Sequence, residues 1–374
     1  MNLSVTLLCG IFFILNVPLF AQTLQCGTNF SSSDLKWLRN FQQNPQSYPL
    51  VKRNVQRYVP IKAHIVGDDS GDGYYSLEYL FQAVCQLNKD YASMHMHFYL
   101  WGDIHYIDNS NFYEHDSYSS ALMFAQNNVD QMLNIYFVND PNGACGYYSP
   151  YWDAIAIKKS CQLTGDHTIT HEVGHYFSMP HTFYGWENST TPPLNQQEKV
   201  NGSNCQTAAD GFCDTPPDYL SYIWGFNNCN SPTLTDPNGI DFQVDGSNFM
   251  SYATDACQSK FSNEQENAIL GNLLYQRSYL LNNYSVPSDT VEPSLVNTVM
   301  PADGETGVPY NWVGFKWDPV PGATAYHLMV TELPTFANSN IDIITTNNYY
   351  IAELDEDETY RWKVKALVEG NTCA

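Results

Sequence analysis

Leu77, Leu80, Phe81, Val84, Leu87 and Tyr91 recur at helical spacing behind Ser76, a residue suited to capping. They predict an amphipathic helix. Val59 to Val66 reads as a strand before it. Met96, Phe98 and Leu100 alternate as a strand after it. Leu133 to Val138 and Ala154 to Ile157 are short apolar runs of the kind found in buried strands. A further helix is predicted from about Thr168 to Ser178, followed by a long stretch rich in Pro, Gly, Asn and Cys. The next helix opens with Ser262-Asn-Glu-Gln265, a capping box, and continues through Ile269, Leu270, Leu273, Leu274 and Leu281. These elements make an α+β domain with a mixed sheet and a loop-rich second half.

Past a Pro- and Ser-containing linker the pattern changes. Gly314 to Trp317, Ala325 to Thr331 and Thr359 to Ala366 read as short strands separated by turn residues, as in a β-sandwich. At the other end, Met1 to Ala21 carries no charged side chain, and its apolar run reads as a secretory signal too short to span a bilayer. Residues 22–57 hold one short helical stretch, Asp34 to Phe41, and a basic end at Lys52, Arg53 and Arg57. They read as a pro-segment with a cleavable end. The expected layout is signal 1–21, pro-segment 22–57, α+β domain 58–284, linker 285–293 and an all-β domain 294–374.

Sixteen basic against 39 acidic residues give the 374-residue chain a net charge of −23. That balance argues against nucleic acid and anionic membrane surfaces as partners. Secretion places the cysteines in an oxidising compartment. Of the ten, nine remain after the signal, so at least one lacks a partner within the chain. Cys145 and Cys161 flank an expected hairpin and can pair. Cys85, beside an apolar helix face, is expected to be buried, and Cys373 has no evident partner.

His171-Glu-Val-Gly-His175-Tyr-Phe-Ser-Met-Pro-His181 carries the chemistry. His171 and His175 are four apart and share one helix face. Pro180 ends the helix, so His181 can turn back as a third ligand. Three imidazoles suit Zn²⁺ and leave one position for water, whose pKa falls towards about 7 when bound. Glu172 can take that proton and pass it to a leaving amine. The pattern therefore points to a zinc hydrolase rather than to a structural zinc site, which would be closed by a fourth side chain.

The extended motif resembles the metzincin metalloproteases, and more narrowly the pappalysins of the cytophagalysin type. The match rests also on Val59-Pro-Ile-Lys-Ala-His64, His181-Thr-Phe183, Cys213-Asp-Thr-Pro-Pro217 and Asn248-Phe-Met-Ser-Tyr252. The resemblance implies a secreted endopeptidase acting on proteins or peptides. Its zinc would be held by His171, His175 and His181, with Glu172 as base, Met250 as a Met-turn beneath the metal and Tyr252 supporting the tetrahedral intermediate. It implies disulfides Cys205–Cys229 and Cys213–Cys257. It places Asp255 in the wall of the S1′ pocket, where a carboxylate would favour Arg or Lys at P1′. It makes Cys26, in Cys26-Gly-Thr28, a latency switch whose thiolate fills the open zinc position. It suggests Ca²⁺ in the Asp- and Asn-rich stretch 201–218. Trp317 and Tyr360-x-Trp362-x-Val364 resemble a fibronectin type III domain, here without its last strand; such an accessory domain could bind protein or polysaccharide.

One position departs from the family pattern: Ser178 stands where Gly is usual. A non-Gly residue at positive φ costs about 1 kcal/mol. The rival reading is a weak or inactive zinc-containing binding or adhesion protein. Retention of Glu172 argues against it, because a structural site needs no base.

Overall fold

The computed structural model describes residues 24–28, 30–44, 47–48, 54–187, 191–226, 228–282, 296–368 and 373. The expected signal, Lys52, Arg53 and the expected linker lie outside them. Before the main domain come β1 (Leu24–Cys26) and α1 (Ser32–Gln43). Next are β2 (Arg57–Gly67), α2 (Leu77–Asp90), β3 (Met96–Leu100), β4 (His105–Asp108) and α3 (Ser117–Asn127). β5 (Leu133–Val138), β6 (Ala144–Ser149), β7 (Ala154–Lys158), α4 (Thr168–Tyr176) and α5 (Asn263–Tyr275) complete the domain.

The sheet has seven strands in the order β1-β6-β7-β5-β2-β3, with β4 also on β2. β2 runs parallel to β3, β4 and β5, and β5 runs parallel to β7. β6 reverses, pairing antiparallel with β7, which is the hairpin expected between Cys145 and Cys161. Those two cysteines are bonded. β1 then pairs in parallel on the outer side of β6.

Helix α2 forms as the periodicity demands. Ser76 Oγ accepts the Glu78 N–H at 3.2 Å. Leu77, Leu80, Phe81, Val84 and Leu87 are buried against the sheet in the main core. α5 closes the domain through the Ser262/Gln265 capping box, but it stops at Tyr275. Leu281 belongs to a separate short turn, Ser278–Leu281.

The expected boundary at residue 57 cuts through β2. Arg57 pairs with Met96 and is buried, so the catalytic fold already begins there. The structure also adds β1, β4 and α3, which the apolar pattern did not reveal.

The C-terminal residues form two three-stranded antiparallel sheets. One holds β8 (Thr298–Met300), β9 (Val313–Trp317) and β12 (Tyr349–Ala352). The other holds β10 (Ala325–Thr331), β11 (Ile341–Thr345) and β13 (Arg361–Leu367). Fully buried Trp317 lies in their shared core with Phe315, Tyr326, Leu328 and Val330. This sandwich is tied to α2. Asp342 Oδ2 accepts the Leu77 N–H at 2.9 Å, Lys363 meets Glu78 at 3.2 Å, and Phe81 packs edge-on against His327 at 5.1 Å. Cys85, expected to be buried, is half-buried and bonded to Cys373, the cysteine without an evident partner in the sequence, with Cα atoms 5.2 Å apart.

The other expected disulfides are corrected. Cys205 pairs with Cys213, and Cys229 with Cys257, in place of Cys205–Cys229 and Cys213–Cys257. The reason is local. The backbone turns back on itself through Ala209 and Gly211, both at positive φ, which brings Cys205 and Cys213 to 5.0 Å between Cα atoms. Cys257 lies against residues 224–229 instead: the Thr254 N–H bonds the Trp224 carbonyl, and Cys257 Sγ lies 3.8 Å from Gly225 O.

Candidate active site

Helix α4 is anchored at both ends. At its start Asp255 Oδ1 accepts the His167 N–H at 2.6 Å, satisfying one of the donors a helix leaves open. Asp90 Oδ2 accepts from Thr170 Oγ1 at 2.6 Å and lies 2.7 Å from His167 Nδ1. Asp255 thus caps the helix that carries the histidines. At the helix end Ser178 sits at φ +64°, and the Met179 N–H returns to the Gly174 carbonyl at 3.0 Å. This is a left-handed helix stop, which favours Gly. The serine side chain is held there by two hydrogen bonds, from its Oγ to Asp34 Oδ1 at 3.0 Å and from Asn272 Nδ2 at 2.9 Å. Those bonds offset the strain expected at this position.

The turn brings His181 back to the helix. His175 Nε2 lies 3.1 Å from both His171 Nε2 and His181 Nε2. The outer nitrogens define the tautomers. His171 Nδ1 donates to Phe249 O at 2.7 Å, and His175 Nδ1 to Met179 O at 2.7 Å. A carbonyl can only accept, so both Nδ1 atoms carry the proton and both Nε2 lone pairs point inward. Burial pushes the His171 imidazole down to about 4 and holds His175 and His181 well below their usual range. Convergent lone pairs repel unless a cation sits among them. Nitrogens bound to one tetrahedral zinc at 2.0–2.1 Å stand about 3.3 Å apart, close to the spacing found. The donor set therefore fits zinc. His181 Nδ1 faces a carboxylate instead, Glu187 Oε1 at 3.5 Å.

Met250 lies under the helix. A Cβ on Gly174 would come within 2.5 Å of Met250 Sδ, so the glycine is needed for close approach rather than for backbone freedom. Glu172 is fully buried, and burial pushes its carboxyl up to about 8. Its Oε1 is buried and makes no hydrogen bond.

The fourth side of the cluster is filled by the segment before β2. Cys26 Sγ and one nitrogen of each histidine all lie within 4.8 Å of one another. Cys26 is the free cysteine among the described residues, and it is buried. Its thiol faces Glu172 Oε2 at 3.6 Å, and Thr28 Oγ1 donates to the same oxygen at 3.0 Å. Tyr252 reaches the cluster through its hydroxyl, which donates to the Cys26 carbonyl at 3.2 Å. Burial, then the charge of Glu172, pushes the Cys26 thiol up.

Three further acids are buried in the loop-rich half of the domain. Glu198, Asp210 and Asp218 are each at most 2 % exposed. Burial, then the charges of Asp210 and Asp218, pushes Glu198 up to about 9; burial pushes Asp210 and Asp218 up to about 7. Glu198 Oε2 has no hydrogen-bond partner. Asp218 accepts from Thr182 Oγ1 at 2.6 Å, directly after the third histidine. Sequence reasoning reached the stretch 201–218 but missed Glu198. It also missed Thr28, Asp90 and Glu187 as partners of the site. No local spacing links these residues to the histidines.

No family model matches the chain. An extracellular metalloprotease of Neurospora crassa is 27 % identical over 227 residues, covering 55 % of this chain and 71 % of that protein. Extracellular metalloprotease 1 of Coccidioides posadasii is 27 % identical, covering 54 % and 71 %. Among solved structures, a promirolysin mutant of Tannerella forsythia is similar in fold, with a TM-score of 0.51 at 19 % identity, covering 69 % of this chain and 97 % of that one. Among the described residues no helix is long and apolar enough to cross a membrane. On these similarities the chain is a metalloendopeptidase, and an extracellular one.

Proposed function

We propose that the chain is a pappalysin-type zinc endopeptidase made as a latent precursor. The observation that carries this reading is the convergence of three imidazole lone pairs beside a buried carboxylate. Zinc held by His171, His175 and His181 would supply Lewis acidity and an acidified water. Glu172 takes the proton from the attacking water and returns it to the leaving amine; Oε1, which makes no hydrogen bond, is the atom available for it. The Tyr252 phenol, once released from the Cys26 carbonyl, can donate to the developing oxyanion. Met250 serves as the apolar floor beneath the histidines.

Latency rests on the segment 22–57. Cys26 thiolate would take the position that water needs. A cation among the histidines reverses the upward push on the thiol, because a coordinating thiol is deprotonated. β1 meanwhile covers the outer edge of β6, where an extended substrate would add its own strand. Cleavage near Arg53 would free both; Arg57, the other basic position expected to be cut, is already the buried first residue of β2. Asp255 is the proposed source of a preference for Arg or Lys at P1′, beside its capping role. Ca²⁺, which takes oxygen ligands, is proposed for the Asp- and Asn-rich stretch 201–218, where Asp210 and Asp218 are buried. The C-terminal sandwich is read as a fibronectin type III-like accessory domain, on the strength of its two sheets and the buried Trp317.

The test is a peptide-library digest with processed protein, with and without a zinc chelator, beside Glu172→Ala. Cleavage that zinc restores and the mutant lacks supports the reading. Cleavage that survives both treatments sinks it.

A further inference from the structure

The segment before β2 meets the catalytic fold in two separate places. One is β1 with Cys26, at the histidine cluster. The other is α1, whose contacts involve none of the histidines. Leu38 is wholly buried in the main core. Phe41 lies so close to Gly271 of α5 that any side chain at 271 would enter its ring. Trp37 stacks on Phe41 at 5.4 Å, and Tyr48 meets Tyr275 of α5 edge-on at 5.1 Å.

Charged contacts flank this apolar patch. Arg39 Nη2 donates to Ala209 O at 2.8 Å and Nη1 to Asp210 O at 3.0 Å. Asp210 adds an attractive charge to the same guanidinium. Asp34 Oδ1 accepts from Ser178 Oγ at 3.0 Å, and Asn272 of α5 holds that hydroxyl from the other side. A glycine at 178 would have nothing to offer Asp34. The residue that departs from the family pattern is therefore the one that contacts this helix.

Taking residues 22–57 as a cleavable pro-segment, we propose that α1 is a docking element in its own right. The groove built by α5, the 209–211 turn and Ser178 keeps the fragment bound after the chain is cut between positions 44 and 55. Cutting and release are then separate steps, and release is governed by α1 rather than by Cys26. The partner this surface fits is an amphipathic helix with an acid at its start, aromatic and aliphatic side chains on one face and an arginine one turn on. β1, by contrast, is three residues long and is extended only by the bonds of Gly27 and Thr28. A strand that short gives little independent hold.

The experiment uses the full-length secreted chain with a specific-protease site placed between positions 44 and 55. After cutting, native mass spectrometry and gel filtration follow how long the fragment stays. The fragment is expected to co-elute with the enzyme, and to do so equally with Cys26→Ser. Asp34→Ala with Arg39→Ala should speed its loss by about a thousandfold, as expected for losing three charged hydrogen bonds. Lys36→Ala, on the exposed side of α1, should change nothing and controls for helix damage. Loss of the fragment on Cys26→Ser alone overturns the proposal, as does equal retention with and without Asp34 and Arg39. Peptide cleavage by the same samples tests latency separately. An uncut chain as active as the fragment-free enzyme would refute the pro-segment reading whatever the fragment does.

Discussion

Thr28 Oγ1 donates to Glu172 Oε2 at 3.0 Å, across 144 residues of sequence. The segment ahead of β2 therefore holds the buried Glu172 carboxylate as well as the space beside the histidines. Thr28 is itself held in register with β6, because Tyr148 N–H donates to its hydroxyl at 2.8 Å. Removing the thiol should weaken this hold without erasing it. Uncut Cys26→Ser protein is expected to cleave a fluorogenic peptide measurably, where the uncut wild type does not. Cys26→Ser with Thr28→Val should be more active still. Equal silence of all three, with zinc bound, would count against Cys26 as the switch.

Glu172→Gln keeps the shape of the side chain and removes the base. Turnover should fall by roughly 10²–10⁴-fold, the usual range for a positioned acid–base group. Zinc content, read by elemental analysis, should stay at one per chain. A mutant that loses metal as well as activity would show that Glu172 acts on the site's structure instead.

Gly174→Ala would drive a methyl group into Met250 Sδ. Overpacking of this kind costs about 1–3 kcal/mol. The melting temperature should fall, and zinc should be stripped by a weaker chelator. Met250→Ala in the same background should relieve the clash in part. An unshifted melting curve for Gly174→Ala would mean that Met250 is free to move aside.

The three buried carboxyls set a pH dependence. Free carboxyls titrate near about 4 in an unfolded chain, whereas Glu198 is pushed up to about 9 and Asp210 and Asp218 to about 7. Between those limits the folded state binds more protons than the unfolded state, so their contribution to stability falls as pH rises. Ca²⁺ needs the deprotonated groups and should reverse the loss. Added calcium should raise the melting temperature more at pH 8 than at pH 5, and Asp210→Asn with Asp218→Asn should abolish the difference. A calcium effect equal at both pH values would place the ion elsewhere.

Asp255 combines a cap with a proposed specificity role, and the two can be separated. Asp255→Asn retains an oxygen for the His167 N–H but removes the charge. It should stay folded and lose any preference for Arg or Lys after the cut. Asp255→Ala should cost about 1 kcal/mol as a lost cap. A preference that survives in the Asn variant would assign P1′ recognition to another residue.

What the sequence made legible was local. The α2 stripe, the Ser262/Gln265 box and the i, i+4 histidines all act within a few residues, and each is present in the structure. What it hid depends on contacts between distant residues. β1 is three residues long and exists because β6 offers an edge. Helix α3 carries few buried residues, Ser120, Met123 and Phe124, so its stripe was too faint to read. The pairing of Cys205 with Cys213 depends on a backbone reversal at Ala209 and Gly211 that spacing alone did not reveal. Ser178 was legible as an oddity, but its hydrogen bonds to Asp34 and Asn272 were not.

The bond between Cys85 and Cys373 spans 288 residues and fastens the C-terminal sandwich to helix α2. A single nick anywhere between positions 283 and 295 would therefore leave a two-chain molecule rather than a shed domain. Such a product would run as one band on a denaturing gel until a reductant was added, and only then separate into a large and a small piece. Outside the cell, an enzyme cut at that junction would still carry its sandwich.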